Sequence, residues 1–284
     1  MIIWLASYPK SGNTWIRSFL ASLLFNKNNK ADLDGISNIP QYPLRSHFKN
    51  LVNNIDDIKE ISSNWVKSQS LINNDKKIKF FKTHHALCNY QGNNFTNLEN
   101  TLGVIHIVRD PRNIISSLLY HYSKENYNKA LEFMLDENKA LGKKFDEKSP
   151  TVNRDMFTII SSWKNNYNSW KNFKGNYLLI KYENLLYEPD KEFYKICNYL
   201  TDKINIKFDN EKIFTAIKEN NFENLKKLEN SKGFKETVKD KSTGKLKKFF
   251  NLGPENKWEK ILDPKIKTLI ETKFKAEMKE LGYL

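Results

Sequence analysis

The chain has 284 residues, 39% apolar and 13% aromatic, enough for a packed globular core. Its formal net charge of +14 asks for an anionic partner such as a nucleotide, a nucleic acid, an acidic substrate or a membrane surface; a diffusely solvated surface is the alternative, because even the densest run, KDKSTGKLKK at 239–248, is short. No run of about 18 apolar residues marks a membrane span, no signal-peptide pattern opens the chain, and Cys88 and Cys197 form no motif, so a reduced cytoplasmic setting fits better than a disulfide-bonded secreted one.

In chain order, residues 2–8 read as a strand and about 13–25 as a helix. Residues 26–76 are rich in Asn, Asp and Ser with weak periodicity, a substrate-facing cap or a mobile excursion. KIKFFKTHH (77–85) predicts a strand ending in polar residues. GVIHIV (103–108) predicts a buried strand, and PRNIISSLLYHY (111–122) a helix with Pro111 in its first turn. Residues 123–172 read as mainly helical, with Met156, Ile159, Ile160, Trp163, Tyr167 and Trp170 at helical spacing for a core role. YLLIKYENL (177–185) predicts a strand and EPDKEFYKICNYL (188–200) a helix. Residues 205–235 read as helical, and a last helix, about 264–281, starts at the cap pair Asp263-Pro264. The alternation predicts an α/β fold: a central parallel sheet flanked by helices on both faces. One domain over 1–284 is expected, with 26–76 and 123–150 as substrate-side excursions.

The most informative stretch is IIWLASYPKSGNTWIRSFL, an apolar run, a short polar loop and an amphipathic run. It departs from the phosphate-binding form G-x-x-x-x-G-K-[ST]. Gly12 and Thr14 keep their places, Ser7 replaces the first glycine, Asn13 replaces the lysine, and the loop's lysine is Lys10. A strand–loop–helix unit still sets backbone N–H groups and a helix N-terminus around an anion. Gly12 permits close approach, and Ser11 and Thr14 offer hydroxyls. A lysine at position 13 reaches β- and γ-phosphates, whereas Lys10 is placed to meet a group beyond a 5′-phosphate. The alternative is a tight turn with an exposed lysine.

YPKSGNTW resembles the 5′-phosphosulfate-binding loop of the sulfotransferases that use 3′-phosphoadenosine 5′-phosphosulfate, PAPS. Lys82-Thr83-His84 resembles that family's strand-end motif, whose histidine is the catalytic base; His85 should point to the opposite side of the strand and ranks below it. In VRDPRNIISSLL, Arg109 and Ser117 match the spacing of the 3′-phosphate motif, and a guanidinium fork suits a phosphate. Alternatives are a surface pairing of Arg109 with Asp110 or Glu183, or a Walker-type strand ending in Asp110. By the resemblance Trp15 stacks on the adenine opposite Phe222, and Tyr182 of Tyr182-Glu183 hydrogen-bonds it. The C-terminal motif Arg-Lys-Gly-x-x-Gly-Asp-Trp is only partly present. Gly253 and Trp258 keep their interval, but Asn251 and Leu252 stand in place of Arg and Lys, and Asn256-Lys257 in place of Gly-Asp. Backbone amides at 251–253 remain for the 3′-phosphate, with Lys245, Lys247, Lys248 or Lys257 as compensating charge. The family's dimerisation signature is absent, Asp263-Pro264 occupying its Thr-Val place, which leaves the oligomeric state open.

The resemblance spans residue 2 to about 260 and implies a P-loop-like sulfotransferase architecture. It implies sulfonyl transfer from PAPS to a hydroxyl of a small-molecule acceptor, with PAP as product and no metal. His84 takes the acceptor proton and Lys10 stabilises the leaving group. Ser11, Gly12, Asn13, Thr14 and Trp15 form the donor loop, Lys82 supports charge at the sulfonate, and Ser11 and Ser117 hold Lys10 back until acceptor binds. Three other readings stand beside this one: a sulfotransferase acting on a carbohydrate, which commonly uses a glutamate base; a P-loop nucleotide kinase, which needs a lysine at position 13 and magnesium; and a basic nucleic-acid-binding protein, for which no motif is found.

Overall fold

A computed structural model of the chain describes residues 1–142, 156–205, 207–240 and 243–284. The fold is α/β, with a central four-stranded sheet and flanking helices. The chain divides into two compact units: Met1–Tyr8, Ile39–Ile107 and Asp136–Leu179 form the first, and Pro9–Asn38, Val108–Leu135 and Ile180–Leu284 the second.

The first unit holds most of the sheet. Strand β1 (Ile2–Ser7) is buried at every position, as a continuous apolar run in a two-sided parallel sheet must be. It pairs in parallel with β2 (Lys79–Thr83) on one side and β5 (Thr101–Val108) on the other. β8 (Tyr177–Lys181) follows β5. Trp4 anchors the core, with Tyr42, Phe81 and Phe95 at ring distances of 5.4, 6.0 and 5.6 Å, and its indole N–H donates to Thr101 Oγ1. Tyr42, Phe48, Ile61 and Trp65 come from the region without clear periodicity, yet they are core. The region folds into short turns and two short helices, α2 (Ile58–Ser63) and α3 (Trp65–Asn73), too brief to show a period. Its residues 40–42 extend the sheet: Lys82 N donates to Pro40 O and Tyr42 N to Lys82 O.

Two small antiparallel pairs follow, β3 (Asn89–Tyr90) with β4 (Asn93–Asn94), and β6 (Ala140–Leu141) with β7 (Thr158–Ile159). The second corrects the helical reading of 156–162. Met156 and Ile160 are buried, but from irregular backbone on either side of β7, and helix begins only where Ser162 caps α6 (Trp163–Lys171) by accepting from Asn165 N. Met156, Ile160, Trp163, Tyr167 and Trp170 are nevertheless buried, as a core role required. Residues 143–155, which take in the end of the expected excursion at 123–150, lie outside the described residues.

The second unit is helical. α1 (Asn13–Phe25) is followed by α4 (Pro111–His121), capped by Asp110 with Pro111 at its start, and α5 (Tyr127–Leu135). The strand expected over 177–185 ends at Lys181, and Tyr182–Tyr187 is a helix, α7. A short apolar run carries no period that separates the two states, and here Glu183 at the first turn suits the positive end of a helix. α8 (Pro189–Ile204), α9 (Asn210–Glu219) and α10 (Phe222–Lys232) follow as expected. Beyond α11 (Trp258–Ile261), the last helix is two pieces, α12 (Pro264–Lys273) and α13 (Lys275–Glu280); the backbone leaves helical geometry at Phe274, whose ring is buried. Leu33, Ile36, Leu225, Phe234 and Phe250 make a local core. Both cysteines are free, and no helix among the described residues is long and apolar enough to cross a membrane.

Candidate functional site

The loop at 8–12 joins β1 to α1. Lys10 and Gly12 both have positive φ, 70° and 96°, so the backbone coils left-handed twice before the helix begins. Gly12 is the N-cap of α1, without a side-chain cap. A Cβ there would lie 2.4 Å from Tyr182 Cδ2, so the Tyr182 ring lies directly against the loop backbone. Arg109 completes the cradle. Its Nη1 donates to Lys10 O at 3.1 Å, and its guanidinium lies 4.1 Å from the Tyr182 ring centroid. The Trp15 ring meets Tyr182 edge-on at 5.9 Å and donates from Nε1 to Asn220 O at 2.6 Å. The sequence-derived residues Lys10, Gly12, Trp15, Arg109 and Tyr182 are thus one constellation.

Its buried polar atoms without a hydrogen-bond partner include Ser11 Oγ and Arg109 Nε. Such groups cost on the order of 1–3 kcal/mol unless a ligand satisfies them, and both suit an anion's oxygens. Arg109 is 6% exposed, and the carboxylate of Asp110 pairs with Arg112. Glu183 accepts from Asp110 N and Tyr283 Oη, and burial raises its pKa; burial raises that of the Tyr182 phenol too. Thr14 Oγ1 donates to Glu236 at 3.4 Å, and Asn13 is buried at the first turn of α1. The Lys10 ammonium stands 4.4 Å from the Phe249 ring centroid. Phe249 is held there because its N–H and that of Phe250 donate to the buried carboxylate of Glu229.

Phe222 opens α10 and lies against Gly253: a Cβ on Gly253, whose φ is 53°, would be 2.3 Å from its ring. Phe222 and Trp15 pack on the same local core. Asn251 and Leu252 are exposed. Ser117 Oγ accepts from Asn256 Nδ2 at 3.0 Å, and Asn256 also bonds Ser116 and Asn113 O, tying the 253–258 segment to α4. Among the four lysines considered for compensating charge, Lys247 is engaged with Tyr120 O, Ser123 Oγ and Asp240. Lys245, Lys248 and Lys257 are exposed.

The first unit presents His84 just past the end of β2. Its Nδ1 lies 2.8 Å from Ser7 O. A carbonyl only accepts, so Nδ1 carries the proton and Nε2 is the basic nitrogen of the neutral ring. Lys82, on the last turn of the strand pleat before it, is 9% exposed. His85 is buried against Phe95, with ring centroids 4.1 Å apart, and burial lowers its pKa to about 4. Asn166 Nδ2 donates to His84 O and Trp170 Nε1 to His85 O, so α6 fastens this turn.

Asn166, Asn220, Glu229 and Glu236 carry no motif in the sequence. In a chain so rich in Asn and Glu nothing local marks them. The one available signal was for Asn166, which shares the inward helical stripe of Trp163, Tyr167 and Trp170.

A family model described as a sulfotransferase domain matches residues 2–282. Among curated proteins the chain is similar to sulfotransferase 2A6 of Mus musculus, 22% identical over 92% of this chain and 82% of the relative. It is also similar to cytosolic sulfotransferase 10 of Arabidopsis thaliana, 23% over 96% and 78%, and to a 3-beta-hydroxysteroid sulfotransferase of Cavia porcellus, 22% over 92% and 82%. Among solved structures it shares its fold with a mouse sulfotransferase complexed with PAP, TM-score 0.60 and 20% identity over 97% of this chain and 83% of that one. A retinol dehydratase in complex with androsterone and PAP aligns with TM-score 0.55 and 18% identity over 98% and 80%.

Proposed function

The chain belongs to the sulfotransferase domain family and is a sulfotransferase, and from that premise we propose that it moves the sulfonyl group of PAPS to a hydroxyl of a small-molecule acceptor. The observation that carries the donor assignment is the pair of buried, partnerless polar atoms, Ser11 Oγ and Arg109 Nε, around a glycine-capped helix N-terminus. The PAP bound in the structural neighbours supports it. Ser11, Gly12, Asn13 and Thr14 receive the 5′-phosphate. Arg109, Ser117 and the amides of Asn251, Leu252 and Gly253 receive the 3′-phosphate. Trp15, Phe222 and Tyr182 receive the adenine. We read residues 1–284 as one functional domain, supported by the span of the family match, with 26–76 and the described part of 123–150 on the acceptor side. A cytoplasmic setting accords with the name of the plant relative.

In the reaction the acceptor oxygen forms the new O–S bond as its proton passes to His84 Nε2. The bond between sulfur and the bridging oxygen breaks, and that oxygen leaves with the electron pair as part of PAP. Lys10 stabilises the charge growing there, and Lys82 supports the sulfonate. Ser11 and Ser117 restrain Lys10 until acceptor arrives. The acceptor class rests on the Nδ1–H tautomer, which leaves a base suited to an alcohol or phenol, and on the hydroxysteroid relative.

The test is transfer from sulfur-labelled PAPS to a panel of alcohols, phenols and sugars, with PAP binding measured alongside. Labelled product from an alcohol or phenol is expected. PAP binding with transfer only to sugars would reassign the acceptor; no PAP binding would remove the donor assignment.

A further inference from the structure

Thr14 is not the only group on the first turns of α1 that faces an anion. One turn on, Arg17 is 4% exposed, an unusual place for a guanidinium. Its Nη1 donates to Glu236 Oε1 at 2.5 Å, and Thr14 Oγ1 donates to the other oxygen, Glu236 Oε2, at 3.4 Å. One carboxylate therefore spans a hydroxyl of the donor loop and a buried cation beside it. Glu236 comes from the segment after α10, more than 200 residues away in sequence, and its side chain is 29% exposed against 5% for Arg17. The cation is built into the helix; the anion is the more exposed partner.

A threonine hydroxyl has one proton. While it is given to Glu236 it cannot be given to a phosphate, and a carboxylate at that distance repels a second anion placed on the same hydroxyl. The two anions compete for one donor pair. Resting on the donor assignment above, we infer that the donor's 5′-phosphate displaces Glu236 from Thr14 and Arg17, which makes Arg17 a further donor-binding residue and Glu236 its exchangeable counter-ion. The ion pair stores the buried guanidinium in neutralised form until the donor supplies the negative charge.

The full chain is titrated with PAP by calorimetry as wild type, Glu236→Gln and Arg17→Gln, with circular dichroism confirming the fold. Glu236→Gln, which is nearly isosteric, is expected to bind PAP at least fivefold more tightly, and Arg17→Gln at least tenfold more weakly. An ion pair that merely fastens 233–240 to α1 predicts the reverse for Glu236→Gln, unchanged or weaker binding, and that result overturns the inference. Hydrogen exchange of the wild type supplies a readout that needs no variant: PAP should speed exchange of the amides at 234–240, and unchanged or slower exchange there overturns the inference as well. Wild-type chain that binds no PAP at all removes the donor assignment, and this inference with it; wild-type binding with an unresponsive Glu236→Gln overturns this inference and leaves the donor assignment standing.

Discussion

His84 is fastened to Ser7: its Nδ1 sits 2.8 Å from the Ser7 carbonyl oxygen and 3.2 Å from the Ser7 hydroxyl. The carbonyl compels a proton on Nδ1 and so directs basicity to Nε2. Ser7 is the last residue of β1, three before Lys10 in the chain, so one strand end sets the tautomer of the proposed base and leads into the donor loop.

Replacing His84 by alanine should lower the transfer rate by on the order of 100- to 10,000-fold, the usual range for losing a general base. PAP affinity should change by less than about twofold, since the role assigned to His84 lies with the acceptor proton. Single-turnover transfer and calorimetric PAP binding measure the two separately; a variant retaining half its activity would refute the base assignment.

Arg109→Lys keeps the charge and loses the planar fork that bonds Lys10 O and stacks on Tyr182. PAP binding should weaken at least about tenfold. Adenosine 5′-phosphate, which lacks the 3′-phosphate, is the control and should be affected far less. Equal losses for both nucleotides would assign Arg109 to loop support alone.

Gly12→Ala places a methyl 2.4 Å from the Tyr182 ring at a φ of 96°. Backbone strain and overpacking together should cost roughly 2–5 kcal/mol and abolish PAP binding. Gly92→Ala is the comparison: its φ is 85°, but nothing lies within 4 Å of the new methyl, so only the strain is felt. Chemical denaturation of both should show the larger loss at Gly12.

Stability should fall on mild acidification. Burial lowers the pKa of His47 and His85 to about 4 and of His106 to about 3. The unfolded chain takes up these protons near pH 6.5 while the folded chain does not, so stability is complete above about pH 6.5 and is lost as pH drops toward 4. Each histidine contributes on the order of 2 kcal/mol to the loss at pH 5. Urea midpoints at pH 7 and pH 5 measure the sum, and His85→Gln should flatten the difference; a midpoint that rises on acidification contradicts the account.

The proposed donor loop is readable in YPKSGNTW because its properties are local: a buried strand, a glycine where the backbone turns left-handed, hydroxyls and a helix start. Arg109 is readable because a strand end and a proline-started helix bracket it. The use of Tyr182 as a wall against Gly12 is not readable, because the residues are 170 apart and YLLIKYENL carries no sign of where its strand stops. The apolar spacing at 156–170 identifies core residues apart from the partly buried Ile159, and their secondary structure only from Trp163 onward; burial selects apolar residues whatever the backbone does.

By itself the amino-acid sequence determined the α/β alternation, the family resemblance, and the loop, arginine and histidine to which the chemistry is proposed to belong, since these rest on patterns within a few residues. Only the tertiary structure decided what surrounds them. It set Tyr182 under Gly12, Glu229 behind Phe249, Asn166 behind His84 and Glu236 on Thr14 and Arg17. The reason is physical: a buried polar group must find a partner wherever folding brings one, and that search leaves no periodic trace along the chain.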